Sequence, residues 1–248
     1  MSKRIRILDV PVDMVTSQEA LEKFKGFLET DGCDLIVTPN SEIVINAGKN
    51  PDLKYAIESA KLVIPDGIGI VYASRILGHP LSERVTGIDF LGKALNYMAA
   101  AGKTAFLFGS KPGIAQRAGE KMMEAYPGLR IADTRNGYFS PEEEEAILEQ
   151  INRAAPDLLC VALGSPKQEL FVLKYRDRLK VKAAIGVGGS LDVWSGDLKR
   201  APAFYRNHGL EWLYRLIQEP SRYKRMAALP LFMGRVLLSG KSEVEEID

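Results

Sequence analysis

The sequence predicts an α/β fold with a largely parallel sheet and helices on both of its faces, followed by a helical C-terminal segment. Short apolar runs alternate with longer segments of helical periodicity along most of the chain. After Pro202 this pattern changes to amphipathic helices rich in aromatic residues. The 248 residues are 46% hydrophobic and 26% charged, which is typical of a folded domain and excludes a disordered or fibrous chain.

The apolar runs indicate strands at residues 5–10, 35–37, 62–64, 105–108, 129–132, 158–161 and 183–187. Between them, segments with the periodicity and capping residues of helices lie at residues 17–29, 89–101, 113–126 and 141–154. This alternation is typical of a Rossmann-like parallel sheet. Ligands bind such sheets at the carboxyl ends of the strands, where polar loops follow in this sequence.

Charge is distributed unevenly along the chain. Residues 199–235 contain eight Lys or Arg and two Glu, whereas the whole chain has a net charge of only +1. That overall balance argues against binding of nucleic acid by bulk electrostatics. We expect an α/β catalytic core at residues 1–195 and a basic amphipathic helical appendage at residues 196–248.

Cysteine and histidine usage excludes several kinds of site. Cys33 and Cys160 lie in or beside apolar runs, and with only two histidines they leave no ligand set for a zinc or iron–sulfur cluster. A reduced, cytoplasmic protein is the simplest interpretation. We expect no signal peptide, and no apolar stretch reaches the ~20 residues that a membrane-spanning helix needs.

Two segments resemble familiar phosphate-binding motifs, but neither matches its motif completely. Residues 102–104, Gly-Lys-Thr, lack the preceding glycine of a P-loop because that position is Tyr97. Residues 186–191, Gly-Val-Gly-Gly-Ser-Leu, begin like a dinucleotide fingerprint but end in leucine and lie late in the chain. Gly188 and Gly189 allow either close approach of the backbone to a nucleotide or a tight structural turn.

A series of short segments at strand ends and loops is distinctive: Thr-Pro-Asn at 38–40, Pro-Asp-Gly at 65–67, Arg-Val-Thr-Gly at 84–87 with Asp89, Gly-Ser-Pro-Lys-Gln-Glu at 164–169, Gly-Val-Gly-Gly-Ser-Leu-Asp at 186–192, Arg-Ala-Pro at 200–202 and Gly-Leu-Glu-Trp at 209–212. In this order, over about residues 5–225, they resemble the WecG/TagA/CpsF glycosyltransferase family. The resemblance implies an inverting transferase that moves N-acetylmannosamine from UDP-N-acetylmannosamine to undecaprenyl-diphosphate-linked N-acetylglucosamine, in synthesis of the wall teichoic acid linkage unit.

Inverting transfer needs a base on the acceptor hydroxyl and stabilisation of the departing diphosphate on the opposite side of the anomeric carbon. Asp66, in the Pro-Asp-Gly segment after a strand, is the candidate base, although Pro-Asp-Gly is also good turn chemistry. Thr38 and Asn40 follow a neighbouring strand and offer a hydroxyl and an amide to the substrate or the base. Asn40 equally suits the cap of a helix that begins near Glu42.

The remaining binding residues of the core have structural alternatives. Gln168 offers a bidentate amide to the N-acetyl or hydroxyl groups of the donor, or only belongs to a Ser-Pro helix start. Arg84 would neutralise phosphate or orient the base, or pair with adjacent Glu83 on the surface. Asp192 would bind the ribose hydroxyls or cap the next turn, and Gly109 ends a strand at the same edge.

We expect transfer without a metal or cofactor, because the sequence has no Asp-x-Asp motif and no histidine cluster. Backbone amides and the appendage residues Arg215, Arg222 and Arg225 would then balance the leaving group. The apolar residues of the appendage suit either anionic lipid or packing on the core or another subunit. They are Tyr223, Met226, Leu229 and a run expected to be exposed, Leu231, Phe232 and Met233.

The expected protein is a cytoplasmic enzyme that is peripheral on the inner face of the cell membrane. Its partners are a UDP-sugar donor, a lipid-linked acceptor and the membrane surface, with a homo-oligomer left open and no nucleic acid. Two alternatives remain at this stage: a relative that uses another donor such as UDP-N-acetylmannosaminuronic acid, and a nucleotide-sugar-binding protein without turnover.

Overall fold

A computed structural model describes residues 2–240 and 244–247 of the chain. Its strands are β1 Ser2–Ile7, β2 Val10–Asp13, β3 Asp34–Val37, β4 Leu62–Val63, β5 Thr104–Gly109, β6 Arg130–Arg135, β7 Leu158–Ala162, β8 Ala183–Gly186 and β9 Val244–Ile247. Its helices are α1 Ser17–Phe27, α2 Ser41–Ala47, α3 Pro51–Glu58, α4 Ile68–Ile76, α5 Gly87–Ala101, α6 Ile114–Ala125, α7 Glu144–Ala154, α8 Lys167–Tyr175, α9 Ser190–Trp194, α10 Ala203–Asn207, α11 Glu211–Gln218, α12 Tyr223–Met226 and α13 Ala228–Leu238. Two short 3₁₀ helices lie at Pro141–Glu143 and Pro220–Arg222.

The central sheet has six strands in the order β4-β3-β8-β7-β5-β6, and all of its neighbouring pairs are parallel. The predicted α/β fold class is therefore confirmed. Because the strands are parallel, their carboxyl ends lie along one edge of the sheet. Strands β3 and β8 are far apart in the sequence but adjacent in the sheet, so the loops that follow them lie side by side.

Both faces of the sheet are buried, as the alternating side chains of β5 illustrate. Ala105 and Leu107 belong to one apolar cluster, whereas Phe106 and Phe108 belong to the other. Successive side chains of a strand point to opposite faces, so each cluster occupies one face. Helices cover both of them, which explains why the strands read as nearly continuous apolar runs.

The first apolar run does not form a strand of the parallel sheet, and this prediction was wrong. The chain reverses at Leu8 and Asp9, which both have positive φ, so that Ile7 lies opposite Val10 in an antiparallel hairpin. A two-residue turn with positive φ at both positions is a common hairpin connection. Strand β9 pairs antiparallel with the other edge of β1, which completes a separate three-stranded sheet.

The C-terminal helices differ in how deeply they pack. Helices α10 and α11, both fully described, have no buried residue. Helix α13 packs against α2 and α4 and buries Phe232 and Val236 completely. The expectation that Phe232 is exposed was wrong, because it belongs to a core cluster, whereas Leu231 stays 44% exposed. The division of the chain near residue 195 stays a prediction.

No helix within residues 2–240 and 244–247 is both long enough and apolar enough to cross a membrane.

Candidate active site

A cavity of about 320 Å³ opens at the carboxyl edge of the parallel sheet. One wall is formed by strand-end residues of the core and the other by helices of the appendage. Ten of the predicted site residues line it: Thr38, Asn40, Asp66, Arg84, Gln168, Gly188, Gly189, Arg215, Arg222 and Arg225. Gly109 and Asp192 are absent from this lining. The structure thus brings together residues that are up to 187 positions apart in the sequence, from Thr38 to Arg225.

Asp66 lies directly after β4, in a turn whose shape requires the glycine that follows. Gly67 has φ of +80°, and a Cβ at that position would lie 3.3 Å from the Cβ of Asn40. The Gly67 N–H donates to Asp66 Oδ1 at 2.8 Å. The turn therefore holds one carboxylate oxygen of Asp66 in place beside the cavity.

Burial raises the pKa of Asp66 from 3.8 to about 6. The positive charge of Arg84 opposes this rise, and the negative charge of Glu211 adds to it. A carboxylate with a pKa near neutrality is still ionised at pH 7 to 8 and is a stronger base than an ordinary aspartate. Asp66 therefore combines position and basicity suited to accepting a proton.

Thr38 and Asn40 hold the neighbouring loop after β3. Asn40 Oδ1 accepts a hydrogen bond from the Ile43 N–H at 3.1 Å, which confirms the cap interpretation for this residue. Thr38 Oγ1 donates to the Gly186 carbonyl at 3.4 Å and so links the ends of β3 and β8. Gly87 packs closely against Thr38, since a Cβ at position 87 would lie 3.3 Å from the threonine side chain.

Gln168 shapes the glycine-rich loop after β8. Its Oε1 accepts the Gly188 N–H at 3.2 Å, and a Cβ at Gly186 would overlap its Nε2. Its Nε2 donates to Glu169 Oε1 at 2.8 Å. Gly186, the last residue of β8, thus has a structural reason for its small size, and direct binding of a ligand by Gln168 stays a prediction.

Glu169 is a buried residue that the sequence reasoning missed. It is only 1% exposed, and its Oε2 has no hydrogen-bond partner among the described residues. Burial raises the pKa of Glu169, opposed first by the amide of Gln168. The available signal was its position beside the apolar face of α8, where Phe171 and Val172 are also buried.

Arg84 joins the two walls of the cavity. Its Nη2 forms an ion pair with Glu211 of α11, and its Nη1 contacts the Arg206 carbonyl at 3.5 Å. The alternative pairing with Glu83 is wrong, because the Glu83 carboxylate accepts the Ser17 N–H instead. The charge of Arg84, which acts on Asp66, is therefore held by the appendage.

Three guanidinium groups of the appendage complete the second wall. Arg225 Nε pairs with Glu42 at 2.8 Å, and Arg222 Nη1 pairs with Glu219 at 3.0 Å. Arg215 Nη2 contacts the Gly189 carbonyl at 3.4 Å. Burial, together with the charge of Arg215, lowers the pKa of Arg222, which is the expected effect of crowding cations in a cleft. An anion would relieve that crowding.

Gly109 and Asp192 lie together at a second position along the sheet edge. Gly109 has φ of +131°, and a Cβ there would overlap the backbone of Ala162. The next residue, Ser110, also has a positive φ of 57° and donates from Oγ to Asp192 Oδ2 at 3.3 Å. Burial raises the pKa of Asp192. The pair of predicted residues is thus brought into one cluster with Ser110, which the prediction did not include.

A model of the glycosyl transferase WecG/TagA/CpsF family matches residues 5–245. The chain belongs to this family of glycosyltransferases. A Bacillus spizizenii protein named N-acetylglucosaminyldiphosphoundecaprenol N-acetyl-beta-D-mannosaminyltransferase is 38% identical over 231 residues, which cover 91% of this chain and 88% of the relative. Proteins of the same name from Bacillus subtilis and Staphylococcus aureus are 37% and 32% identical over 90% and 94% of this chain, and 88% and 92% of the relatives.

Family membership makes this an enzyme of sugar transfer, as the motif series implied. Within residues 2–240 and 244–247, no three His, Cys, Asp or Glu side chains are grouped in a way that could hold a metal ion. Metal independence of the glycosyltransferase stays a prediction. The roles of the individual site residues also stay predictions, although ten of them share one cavity.

Proposed function

We propose that this glycosyltransferase moves N-acetylmannosamine from UDP-N-acetylmannosamine to N-acetylglucosaminyldiphosphoundecaprenol, the step that builds the linkage unit of wall teichoic acid. The transferred sugar and the acceptor are supported by relatives whose names specify both and which align with nine-tenths of the chain. The UDP donor is what the resemblance of the motif series to the family implies. The observation that carries the chemistry is Asp66, a carboxylate with a pKa of about 6, in one cavity with the guanidinium groups of Arg215, Arg222 and Arg225.

The reaction assigns a task to each wall of the cavity. Asp66 accepts the proton of the acceptor hydroxyl as the oxygen attacks the anomeric carbon. The bond between that carbon and the diphosphate oxygen breaks, and UDP leaves with the electron pair. Arg215, Arg222 and Arg225 donate to the oxygens on which this charge develops. Inversion requires the base and the leaving group to lie on opposite sides of the anomeric carbon.

The proposed acceptor also favours action of the enzyme at a membrane surface. Undecaprenyl chains are held in the bilayer, so the enzyme meets its acceptor at the membrane surface. A net positive charge over residues 199–235 and the exposed Leu231 and Tyr223 suit contact with an anionic surface. We propose peripheral attachment to the inner face of the cell membrane, with no nucleic acid as partner.

The experiment combines purified protein with a short-chain polyprenyl-diphosphate-N-acetylglucosamine and a panel of donors. The panel contains UDP-N-acetylmannosamine, UDP-N-acetylglucosamine and UDP-N-acetylmannosaminuronic acid, and mass spectrometry identifies the product. We expect a disaccharide only with UDP-N-acetylmannosamine. A product from the uronic acid alone would assign a different donor, and binding of UDP-sugars without any product would contradict an enzyme.

Membrane attachment is tested separately by sedimentation with vesicles. Vesicles with about 30% anionic phospholipid should carry down the protein at low salt, and neutral vesicles should carry down much less. Equal sedimentation with both compositions would contradict the electrostatic part of the proposal.

A further inference from the structure

Arg84 stands between two carboxylates that compete for its charge. Its guanidinium forms an ion pair with Glu211, and the side chains of both partners are at most 21% exposed. The same guanidinium lowers the pKa of Asp66, so its charge is also felt by the base. Within the described chain, Asp66 forms no ion pair, and its carboxylate accepts the Gly67 N–H. Arg84 is therefore bound to the appendage rather than to the base.

We propose that Glu211 is a positioning residue for the base: by holding Arg84, it prevents this guanidinium from pairing with Asp66. The inference rests on the proposed function, in which Asp66 accepts the proton of the acceptor. Glu211 does not touch the reacting atoms in this proposal and acts through Arg84. Helix α11 thereby contributes to proton transfer as well as to the charge of the second wall.

The physical reason is the effect of a direct arginine–aspartate pair on basicity. An arginine bound to an aspartate typically lowers the pKa of the carboxyl by about 1 to 3 units. A carboxylate weakened in this way accepts a proton less readily in the transition state, and both of its oxygens would be engaged by the guanidinium. A second acceptor for Arg84 removes this interference without removing the positive charge from the cavity.

The arrangement of Arg84 fits such a role. One edge of its guanidinium meets Glu211, and Nη1 contacts the Arg206 carbonyl, so both contacts come from the appendage. Its buried Nε has no hydrogen-bond partner among the described residues. If Glu211 loses its charge, Asp66 is the carboxylate that remains available to Arg84 within the cavity, because Glu42 already pairs with Arg225.

Other charged groups face the same cavity and act on the base less directly. Arg215 lowers the pKa of Asp66, whereas Glu211 raises it. The further charged residues that line the cavity are Glu42, Lys199, Arg200, Arg222 and Arg225. Of these, Arg200 pairs with Asp89 and Arg222 with Glu219. The pair of Arg84 and Glu211 is thus one of several, and it is the pair whose two members both act on Asp66.

The test measures the pKa of Asp66 directly, by following its side-chain carboxyl carbon by NMR over a pH titration of the full-length protein without substrates. Glu211→Gln keeps the size of the side chain but removes its charge. We expect the pKa of Asp66 to fall by about 1 to 3 units in this variant. The acid limb of kcat/KM for transfer should move to lower pH by the same amount, with a lower plateau.

Two further variants separate this role from other effects. Glu83→Gln is the matched control, because it is the same substitution beside Arg84, and it should leave the pKa of Asp66 unchanged. In the background Arg84→Gln, Glu211→Gln should shift the pKa by less than a third of its effect in the wild-type protein. An equal shift in both backgrounds would mean that Glu211 acts only by its own charge, and no shift in either would also overturn the inference.

The titration does not depend on turnover, so the two proposals fail in different ways. If the pKa moves as expected but no donor yields the disaccharide, the proposed function is wrong and Glu211 still controls the carboxyl. If the disaccharide forms but the pKa does not move, only the role of Glu211 is wrong.

Discussion

The two walls of the active-site cavity are held in place by different interactions. The core wall follows from the parallel sheet: Asp66 comes directly after β4, and Thr38 is bonded to the end of β8. The appendage wall has no buried residue in α10 or α11 and is joined to the core by ion pairs such as Arg84 with Glu211. Asp66 is thus fixed by folding of the sheet, whereas ion pairs contribute to the position of the cationic wall.

This difference suggests different roles for the two walls. Buried backbone hydrogen bonds hold a side chain whose position must not vary. Ion pairs at a partly exposed interface are weaker and respond to pH, salt and a bound anion. We therefore expect substitutions in the core wall to affect chemistry most strongly, and substitutions in the appendage wall to affect the binding and departure of the diphosphate.

The largest effect is expected for Asp66→Asn. Asparagine fits the same turn but does not accept a proton, so turnover should fall by roughly 10²- to 10⁴-fold while UDP binding persists. Release of UDP in the presence of acceptor measures turnover, and calorimetry measures binding. Asp31→Asn, which removes an exposed carboxylate paired with Lys182, is the control. Turnover close to that of the wild-type protein would remove Asp66 from the role of base.

The next effect concerns the cationic wall. Replacing Arg215, Arg222 or Arg225 singly by Gln removes one charge-assisted hydrogen bond to the diphosphate, which corresponds to a loss of about 10- to 100-fold in kcat/KM. A water-soluble acceptor separates this loss from membrane attachment. Arg178→Gln, which breaks an exposed pair with Glu145, is the matched control. Transfer that is unaffected in all three variants would leave the appendage without a part in catalysis.

The pH dependence provides a smaller and more specific test of the core wall. Because the pKa of Asp66 is raised to about 6, the base is ionised above that pH and protonated below it. We expect kcat/KM to be level at pH 7 to 8 and to fall about tenfold for each pH unit below 6. Stopped assays between pH 5 and 8 measure this profile. A value of kcat/KM that stays nearly level down to pH 5 would indicate an ordinary aspartate pKa and contradict this prediction.

The smallest effect is expected from removal of metal ions. If guanidinium groups balance the diphosphate, excess EDTA should change the rate of transfer by less than about twofold. Activity that disappears with EDTA and returns with magnesium or manganese would assign this task to a cation instead of the appendage.

The core wall could be predicted from sequence because local rules place its residues. Polar residues directly after apolar strand runs lie at the carboxyl edge of a parallel sheet, and this rule brought Asp66 and Thr38 together. The partner of Arg84 could not be predicted in this way. Glu211 is 127 positions further along the chain, and the pair depends on how α11 docks, which no local pattern encodes.

Two other errors have the same origin in local patterns. Leu8 continues the apolar run of the first strand. The hydrophobicity pattern therefore does not reveal its positive φ or the reversal of the chain at this residue. Phe232 and Leu231 are adjacent apolar residues on α13, yet one is buried and the other is exposed. Only the docking of α13 on α2 and α4 decides which face of that helix enters the core.

The pairing of β9 with β1 gives the appendage wall a second attachment to the rest of the molecule. Helices α10 to α12 lie between α9, whose Leu191 is buried in the core, and α13 with β9, which pack on the core again. This segment is therefore anchored to the core at both of its ends, and its docking on the cavity is intramolecular. For a short tether the effective local concentration is of the order of millimolar, so pairs that would be too weak between separate molecules suffice here. The fraction of molecules with a complete cavity therefore does not depend on protein concentration.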